Sequence, residues 1–310
     1  MNIAYLISAH TDAPQLHRLI SALHPDAELF IHIDKKADIA PFKALIKTPN
    51  AHFIDNRIDV RWGTMIEVEY QIALIEAAVS FPRHFDRIFF LSGMDYPLWS
   101  NDKITQWLKS MGDKEILQGI NMNTPYINAQ QRELYRRSRP LFRIFNNVWN
   151  QRLSILCRRM LSALGYRKRL SFTVAGKTWN LYKGAAWWCI SEELATFLLQ
   201  TYRQHKEIYK YFRDSFGQAE TLIQTIAFNS PLWAQRCMLV EGVYPGLDAL
   251  TPLHYIVYDP VIKVMTEEDL PAMMKSGKMF ARKFRSGESL QDRSNETSDK
   301  VVEKINQLRK

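Results

Sequence analysis

Ile3-Ala4-Tyr5-Leu6-Ile7-Ser8, Thr11-Asp12-Ala13-Pro14 and Leu29-Phe30-Ile31-His32-Ile33 decide how this chain folds. The first and third are uninterrupted apolar runs of strand length, as expected of strands covered on both faces. Between them a capping residue and a proline open a segment in which Leu16, Leu19, Ile20 and Leu23 recur at helical spacing. Strand, helix, strand in that order is a β-α-β unit, which implies a parallel sheet. Further on, Thr64 precedes Met65, Ile66, Val68, Ile72, Ile75 and Val79, one apolar helical face ending near Pro82, and Arg87-Ile88-Phe89-Phe90-Leu91 supplies the next strand. Residues 1–110 therefore read as a Rossmann-like half of an α/β fold, its central, mostly parallel sheet flanked by helices. Such sheets bind ligands beyond the carboxyl ends of their strands. Here those ends carry Ser8-Ala9-His10, His32-Ile33-Asp34-Lys35-Lys36 and Ser92-Gly93-Met94-Asp95-Tyr96-Pro97, enough for a nucleotide-sized pocket.

With 310 residues, 46 % of them hydrophobic and 24 % charged, the chain is neither disordered nor fibrous. Its 41 Lys and Arg against 32 Asp and Glu give a net charge of +9, which favours an anionic partner: nucleic acid, acidic lipid or a phosphorylated small molecule. Much of that charge is local, because residues 132–169 hold eleven Arg or Lys and one acid, Glu133. Interleaved are Phe142, Ile144, Phe145, Trp149, Leu153, Leu156, Met160, Leu161 and Leu164, the composition of a basic amphipathic helix lying on an anionic bilayer. A helix packed on the domain with a solvated arginine face accounts for it equally well. Cys157, Cys189 and Cys237 are odd in number and widely spaced, which suggests neither a disulfide framework nor a zinc cluster and fits a reducing compartment. The first residues lack a basic lead and a long apolar core, and no run approaches the ~20 apolar residues of a membrane span. The expectation is a cytoplasmic protein, peripheral on the inner face of the membrane. Residues 192–203 and 220–229 read as further helices, and 286–310 as a polar tail in which 299–310 is a loose helix or a frayed end.

No Gly-x-Gly-x-x-Gly, P-loop, Gly-x-Ser-x-Gly or His-Glu-x-x-His occurs, so dinucleotide redox chemistry, P-loop phosphoryl transfer and the commonest hydrolase designs have no support. Nor is there an Asp-x-Asp to hold a divalent ion on a diphosphate; Glu67-x-Glu69 sits inside an apparent helix and is a poor substitute. A bound diphosphate would need another source of positive charge. Arg282-Lys283 offers a guanidinium that forks across phosphate oxygens beside an ammonium point charge, although a solvated basic turn reads the same. Glu220, after Gly217-Gln218-Ala219, is either a general base or a first-turn acid stabilised by the helix dipole. Trp187-Trp188 is either core or a sugar-stacking wall. His10 and His32, taken alone, read as structural.

The ordered set Ile31-His32-Ile33-Asp34-Lys35-Lys36, Val60-Arg61-Trp62-Gly63, Phe90-Leu91-Ser92-Gly93-Met94-Asp95-Tyr96-Pro97-Leu98, Gly184-x-x-Trp187-Trp188, Glu220-x-x-x-Gln224-Thr225 and Phe280-Ala281-Arg282-Lys283-Phe284 resembles the core 2/I-branching enzyme and peptide O-xylosyltransferase family of glycosyltransferases. The resemblance covers residues 1–285 as one domain, a nucleotide-binding half (1–110) and an acceptor half (111–285), and points to a bacterial-type member. It implies a GT-A type fold and inverting, metal-independent transfer from a UDP-sugar, N-acetylglucosamine first and xylose second, to a glycan or lipid-linked glycan in surface polysaccharide or glycolipid synthesis. No cofactor is implied. By the same resemblance Glu220 falls on the catalytic base and Arg282 and Lys283 on the residues that grip the diphosphate. His10, Asp34, Arg61, Trp62, Gly63, Ser92, Gly93 and Asp95 fall on the nucleotide and donor-sugar loops, and Trp187 and Trp188 on the acceptor side.

Three departures stand out. Ala219 replaces the Asp that relatives place before the base, His254 stands where bacterial relatives carry a phosphate-facing Arg, and Ala186 replaces an acidic acceptor contact of the animal xylosyltransferases. The rival outside enzymology is a non-catalytic basic protein that holds anionic lipid or nucleic acid. Against nucleic acid stand the confinement of the charge to one stretch and the lack of any recognition-helix, zinc-finger or RNP-like pattern.

Overall fold

The computed structural model describes residues 1–61, 63–138, 147–246, 248–258, 261–288 and 297–309. Ile3–Ala9 (β1), Glu28–Ile33 (β2), Ala51–Phe53 (β3) and Arg87–Ser92 (β4) pair in parallel, and Cys189–Ile190 joins β4 antiparallel. The expected mostly parallel α/β sheet is present. Its order, Cys189–Ile190, β4, β1, β2, β3, reverses direction between β1 and β4, so the switch point lies at the carboxyl ends of these two strands.

The alternation of side chains explains why these strands read as unbroken apolar runs. Ala4 and Leu6 of β1 join Phe30, Ile88 and Phe90 on one face, under Val68, Ile72 and Ile75 of the helix Ile66–Val79. Ile3, Tyr5 and Ile7 join Leu29, Ile31, Phe89 and Leu91 on the other, under Leu16 and Leu19 of the helix Ala13–Ala22 (α1). Each buried Leu, Ile, Val or Phe among these contributes about 1.5–3 kcal/mol by leaving water. Asp12 caps α1 by accepting from the Gln15 N–H at 3.0 Å, and Pro14 follows in the first turn.

Two further sheets build onto this platform. Gln118–Asn121 lies between Met238–Val240 and Tyr182–Lys183, and Phe280–Arg282 lies between His254–Ile256 and Asp95–Pro97. The segment 192–203 is helical as expected, within Glu192–Gln204. The segment 220–229 divides into a 3-10 turn, Gln218–Glu220, and the helix Leu222–Phe228.

Of the two readings of 299–310, the helix is the one found, and it is packed rather than loose. Asp299–Leu308 is a helix whose Val301, Val302 and Ile305 are buried against Tyr96, Leu98, Met273 and Phe284. Arg18 pairs with Asp299 at 2.5 Å, and Tyr96 donates to Asn306 Oδ1 at 2.8 Å. Ser286 returns to the start of the chain, where its N–H and hydroxyl donate to Asp12 at 2.8 and 2.5 Å.

The basic stretch is also not one element. It divides into Ala129–Arg136, Asn147–Ala163 and the lead into the hairpin Ser171–Val174 and Lys177–Asn180, while Arg139, Phe142, Arg143, Ile144 and Phe145 lie outside the described residues. No described helix is long and apolar enough to cross a membrane.

Candidate active site

The three-stranded sheet at the switch point assembles a buried charge cluster. Its register sets His254 opposite Phe280 and Arg282 opposite Asp95. The fully buried Asp95 carboxylate accepts from Arg282 Nη1 at 2.9 Å and from the Ser92 N–H at 2.7 Å, and lies 3.1 Å from His254 Nε2. Burial alone would raise the Asp95 pKa; His254, Arg282 and the Ser92 N–H outweigh it and hold the carboxyl below its ordinary value. Arg282 is thereby fixed with its guanidinium 5.1 Å over the Trp187 ring, and Trp187 in turn lies 5.3 Å from the His254 ring. Lys283 is half-buried beside it, and no described carboxylate comes within ion-pair distance of its ammonium.

Glu220 is placed from the other side. Gly217, at φ +61°, turns the chain into the 3-10 turn that ends on Glu220. Its carboxylate pairs at 2.6 Å with Lys183, whose side chain is 4 % exposed against 33 % for Glu220. Burial disfavours the Lys183 charge, but the oxygens of Tyr135, Glu220 and Tyr244 more than offset this and raise its pKa. The rest of the Glu220-x-x-x-Gln224-Thr225 motif is scaffold: Gln224 donates to the Ala185 carbonyl at 2.6 Å and Thr225 accepts from the Tyr182 N–H at 3.0 Å.

One short loop ties the two halves of the site together. Gly184 donates its N–H to the Glu220 carbonyl at 2.9 Å, and three residues later Trp187 lies beneath Arg282. At ~3.3–3.6 Å per residue, Gly184 and Trp187 are at most about 11 Å apart. Residue 184 must be glycine, since a Cβ there would stand 2.0 Å from the Gln118 carbonyl oxygen.

A cavity of about 560 Å³ opens beyond β1 and β2, lined among others by His10, Asp12, Asp34, Lys36, Phe42 and Glu288. His10 is exposed at the cavity, yet the protein atoms around it partly desolvate the ring and lower its pKa; nearby Asp34 opposes the shift, and Arg282, Lys36 and Lys283 add to it. His10 thus lines the cavity and lies within electrostatic reach of Arg282 and Lys283. Asp34 is largely occupied within its own turn, accepting from the Lys36 N–H at 3.0 Å and pairing with the Lys36 ammonium at 3.2 Å. His32 is structural: Nε2 accepts from the Ile58 N–H at 2.9 Å, the ring stacks on Tyr70, and burial lowers its pKa to about 4.

Several expected site residues have partners within the protein, and some are too buried for the role expected of them. Trp188 is 0 % exposed and stacks on Phe90 in the core, so it cannot meet an acceptor. Asp95 and His254, the latter expected on the phosphate, both have side chains 0 % exposed and act on a ligand only through Arg282. Ser92 and Gly93 form the turn that holds Asp95: the Gly93 N–H donates to the Ser8 carbonyl at 2.8 Å, and a Cβ on Gly93 would stand 2.8 Å from that of Ala9. Arg61 pairs with Asp59 at 3.4 Å and Gly63 donates to Glu67 at 2.8 Å, while Trp62 lies outside the described residues.

Residues 3–244 match the Core-2/I-Branching enzyme family. The chain belongs to this family. Among its relatives, a xylosyltransferase of Ciona intestinalis is 25 % identical over 75 % of this chain and 25 % of its own length. A human N-acetyllactosaminide beta-1,6-N-acetylglucosaminyl-transferase is 27 % identical over 38 % of this chain and 31 % of its own length. The mouse protein of the same name is 23 % identical over 91 % of this chain and 68 % of its own length. The chain thus spans between a quarter and a third of the length of the first two. The family match stops short of His254 and Arg282, which Asp95 and Trp187 bind to the matched region.

Two residues near the site were not assigned to it from the sequence: Lys183, and Glu67, which was weighed only with Glu69 as a poor substitute for a metal-binding pair. Glu67 accepts from the Gly63 N–H, and burial, opposed by that bond and aided by Glu220, raises its pKa to about 7. Tyr70, one helical turn on, feels both the Glu67 and the Arg282 charge. Between the ordinary carboxylate pKa and about 7, folded Glu67 keeps a proton that the unfolded chain has lost. Stability therefore falls as pH rises through that window. Glu67→Gln is expected to gain on the order of 1–3 kcal/mol over wild type above about pH 8 and nothing below about pH 4. Denaturant titrations across pH test this; a constant difference would contradict it.

Proposed function

We propose that this chain is an inverting glycosyltransferase that moves a sugar from a UDP-α-sugar to a hydroxyl of a glycan acceptor. The observation that carries this reading is the loop 184–187, which is bonded to the Glu220 backbone at one end and lies beneath Arg282 at the other, so that a carboxylate and a cationic pair are set by one short segment. In this reading the nucleoside occupies the cavity beyond β1 and β2, the diphosphate lies against Arg282 and Lys283, and the acceptor meets Glu220. The acceptor hydroxyl is far too weak an acid to ionise at neutral pH, so Glu220 takes its proton as the oxygen attacks the anomeric carbon. The bond from that carbon to the β-phosphate oxygen breaks in the same step, and its electron pair leaves with UDP. Charge growing on the β-phosphate is stabilised by Arg282 and Lys283, more in the transition state than in the ground state. These cations take the part a divalent ion plays elsewhere, so transfer is expected to continue in EDTA. The names of the relatives favour N-acetylglucosamine or xylose as the sugar.

The test is proton NMR of the first product formed from each UDP-sugar. A β-anomer formed in EDTA supports the reading. An α-anomer, or loss of transfer that manganese restores, contradicts it.

A further inference from the structure

The helix Asn147–Ala163 directs its apolar face away from the protein. Val148, Trp149, Ile155, Leu156 and Met160 recur at three- and four-residue spacing on one arc; Trp149 is 56 %, Leu156 54 % and Met160 56 % exposed. The opposite arc, with buried Asn150 and half-buried Ser154 and Cys157, faces the domain. None of the described side chains of this helix enters any of the three hydrophobic clusters of the core. Leu164, just beyond it, is also exposed.

Arg152 and Arg159 lie on the exposed arc itself, among the apolar residues, and Arg152 extends its guanidinium over the Trp149 ring. The single acid of the region, Glu133, is taken by Arg137 and Arg167, and Lys168 pairs with Asp214. No described carboxylate comes within ion-pair distance of Arg152, Arg158 or Arg159.

We propose that this face docks on an anionic lipid bilayer, the helix lying in the interfacial plane. Trp149, Leu156 and Met160 enter the acyl boundary, while Arg152 and Arg159 extend their stems along it and reach the headgroup phosphates. Charge complementarity selects this occupant over a second copy of the chain. A self-complementary seam places its charges along the flanks, whereas here two guanidinium groups sit within the apolar arc and would oppose their own copies. The proposal is independent of the transfer chemistry.

The experiment is co-flotation of the full chain with vesicles of phosphatidylcholine alone or mixed with phosphatidylglycerol, with sedimentation velocity run in parallel. Binding to the anionic vesicles only, weakened by added salt, is expected. Arg152→Glu with Arg159→Glu, and separately Trp149→Ser with Leu156→Ser, should each lower binding more than about tenfold. Both pairs lie on the surface, so their unfolding temperatures should match wild type. Equal binding to both vesicle types, or none, overturns the proposal. Self-association abolished by the same substitutions also overturns it and makes the face a contact between copies.

Discussion

Glu220→Gln lowers the rate of sugar transfer by about 10²–10⁴, the contribution of a positioned general base, and leaves UDP affinity within about twofold. The amide keeps the shape of the side chain and its approach to the acceptor but cannot take the proton. The complication is Lys183, which would then face an amide from an almost fully buried position. A buried charge stripped of its partner is costly, so the single variant should also lose stability. Glu220→Gln combined with Lys183→Met separates the two effects. If Glu220 is the base, the pair recovers stability and stays inactive. If Glu220 serves only to neutralise Lys183, the pair recovers both. A steady-state assay alongside thermal unfolding distinguishes these outcomes.

The second large effect is expected at Arg282. Arg282→Ala should weaken UDP binding and lower turnover by about 10²–10³, the range for removing one preorganised group from a developing negative charge. Arg282→Lys keeps the charge and loses the fork, the stacking on Trp187 and the aim set by Asp95, so it should recover only part of the rate. Asp95→Asn reports on the same cluster without touching a ligand. It should lower turnover through Arg282, and Arg282→Ala placed on top of it should add less than on the wild-type background. Full additivity of the two would mean that Asp95 serves folding alone.

The strands and α1 were legible because both faces of the sheet are covered, so Ile3 to Ile7 and Leu29 to Ile33 show no polar alternation. The Trp187-Trp188 pair was not resolved by type, yet its outcome follows from strand geometry. Consecutive residues of an extended chain point to opposite sides, and here Trp187 goes to Arg282 while Trp188 goes to Phe90. The stripe Val301, Val302 and Ile305 was a readable sign that the end of the chain packs. Glu67 was weighed with Glu69 as a metal pair, but residues two apart do not share a helix face. Its informative neighbour is Tyr70, one turn on, which feels the Glu67 charge. The cluster of Asp95, His254 and Arg282 had no local signal, since its members are 159 and 187 residues apart and meet only through strand register. Lys183 was invisible for the same reason: its partner lies 37 residues away, on a turn set by Gly217.

The central claim is that a nucleoside diphosphate binds in the cavity beyond β1 and β2 with its phosphates held by Arg282 and Lys283. Calorimetric titration of the chain with UDP in EDTA tests it most directly. The account predicts saturable binding at one site, unchanged when manganese replaces EDTA and weakened at least tenfold (about 1.4 kcal/mol) by Lys283→Ala. Absence of binding in both buffers, or binding that Lys283→Ala leaves untouched, would contradict it.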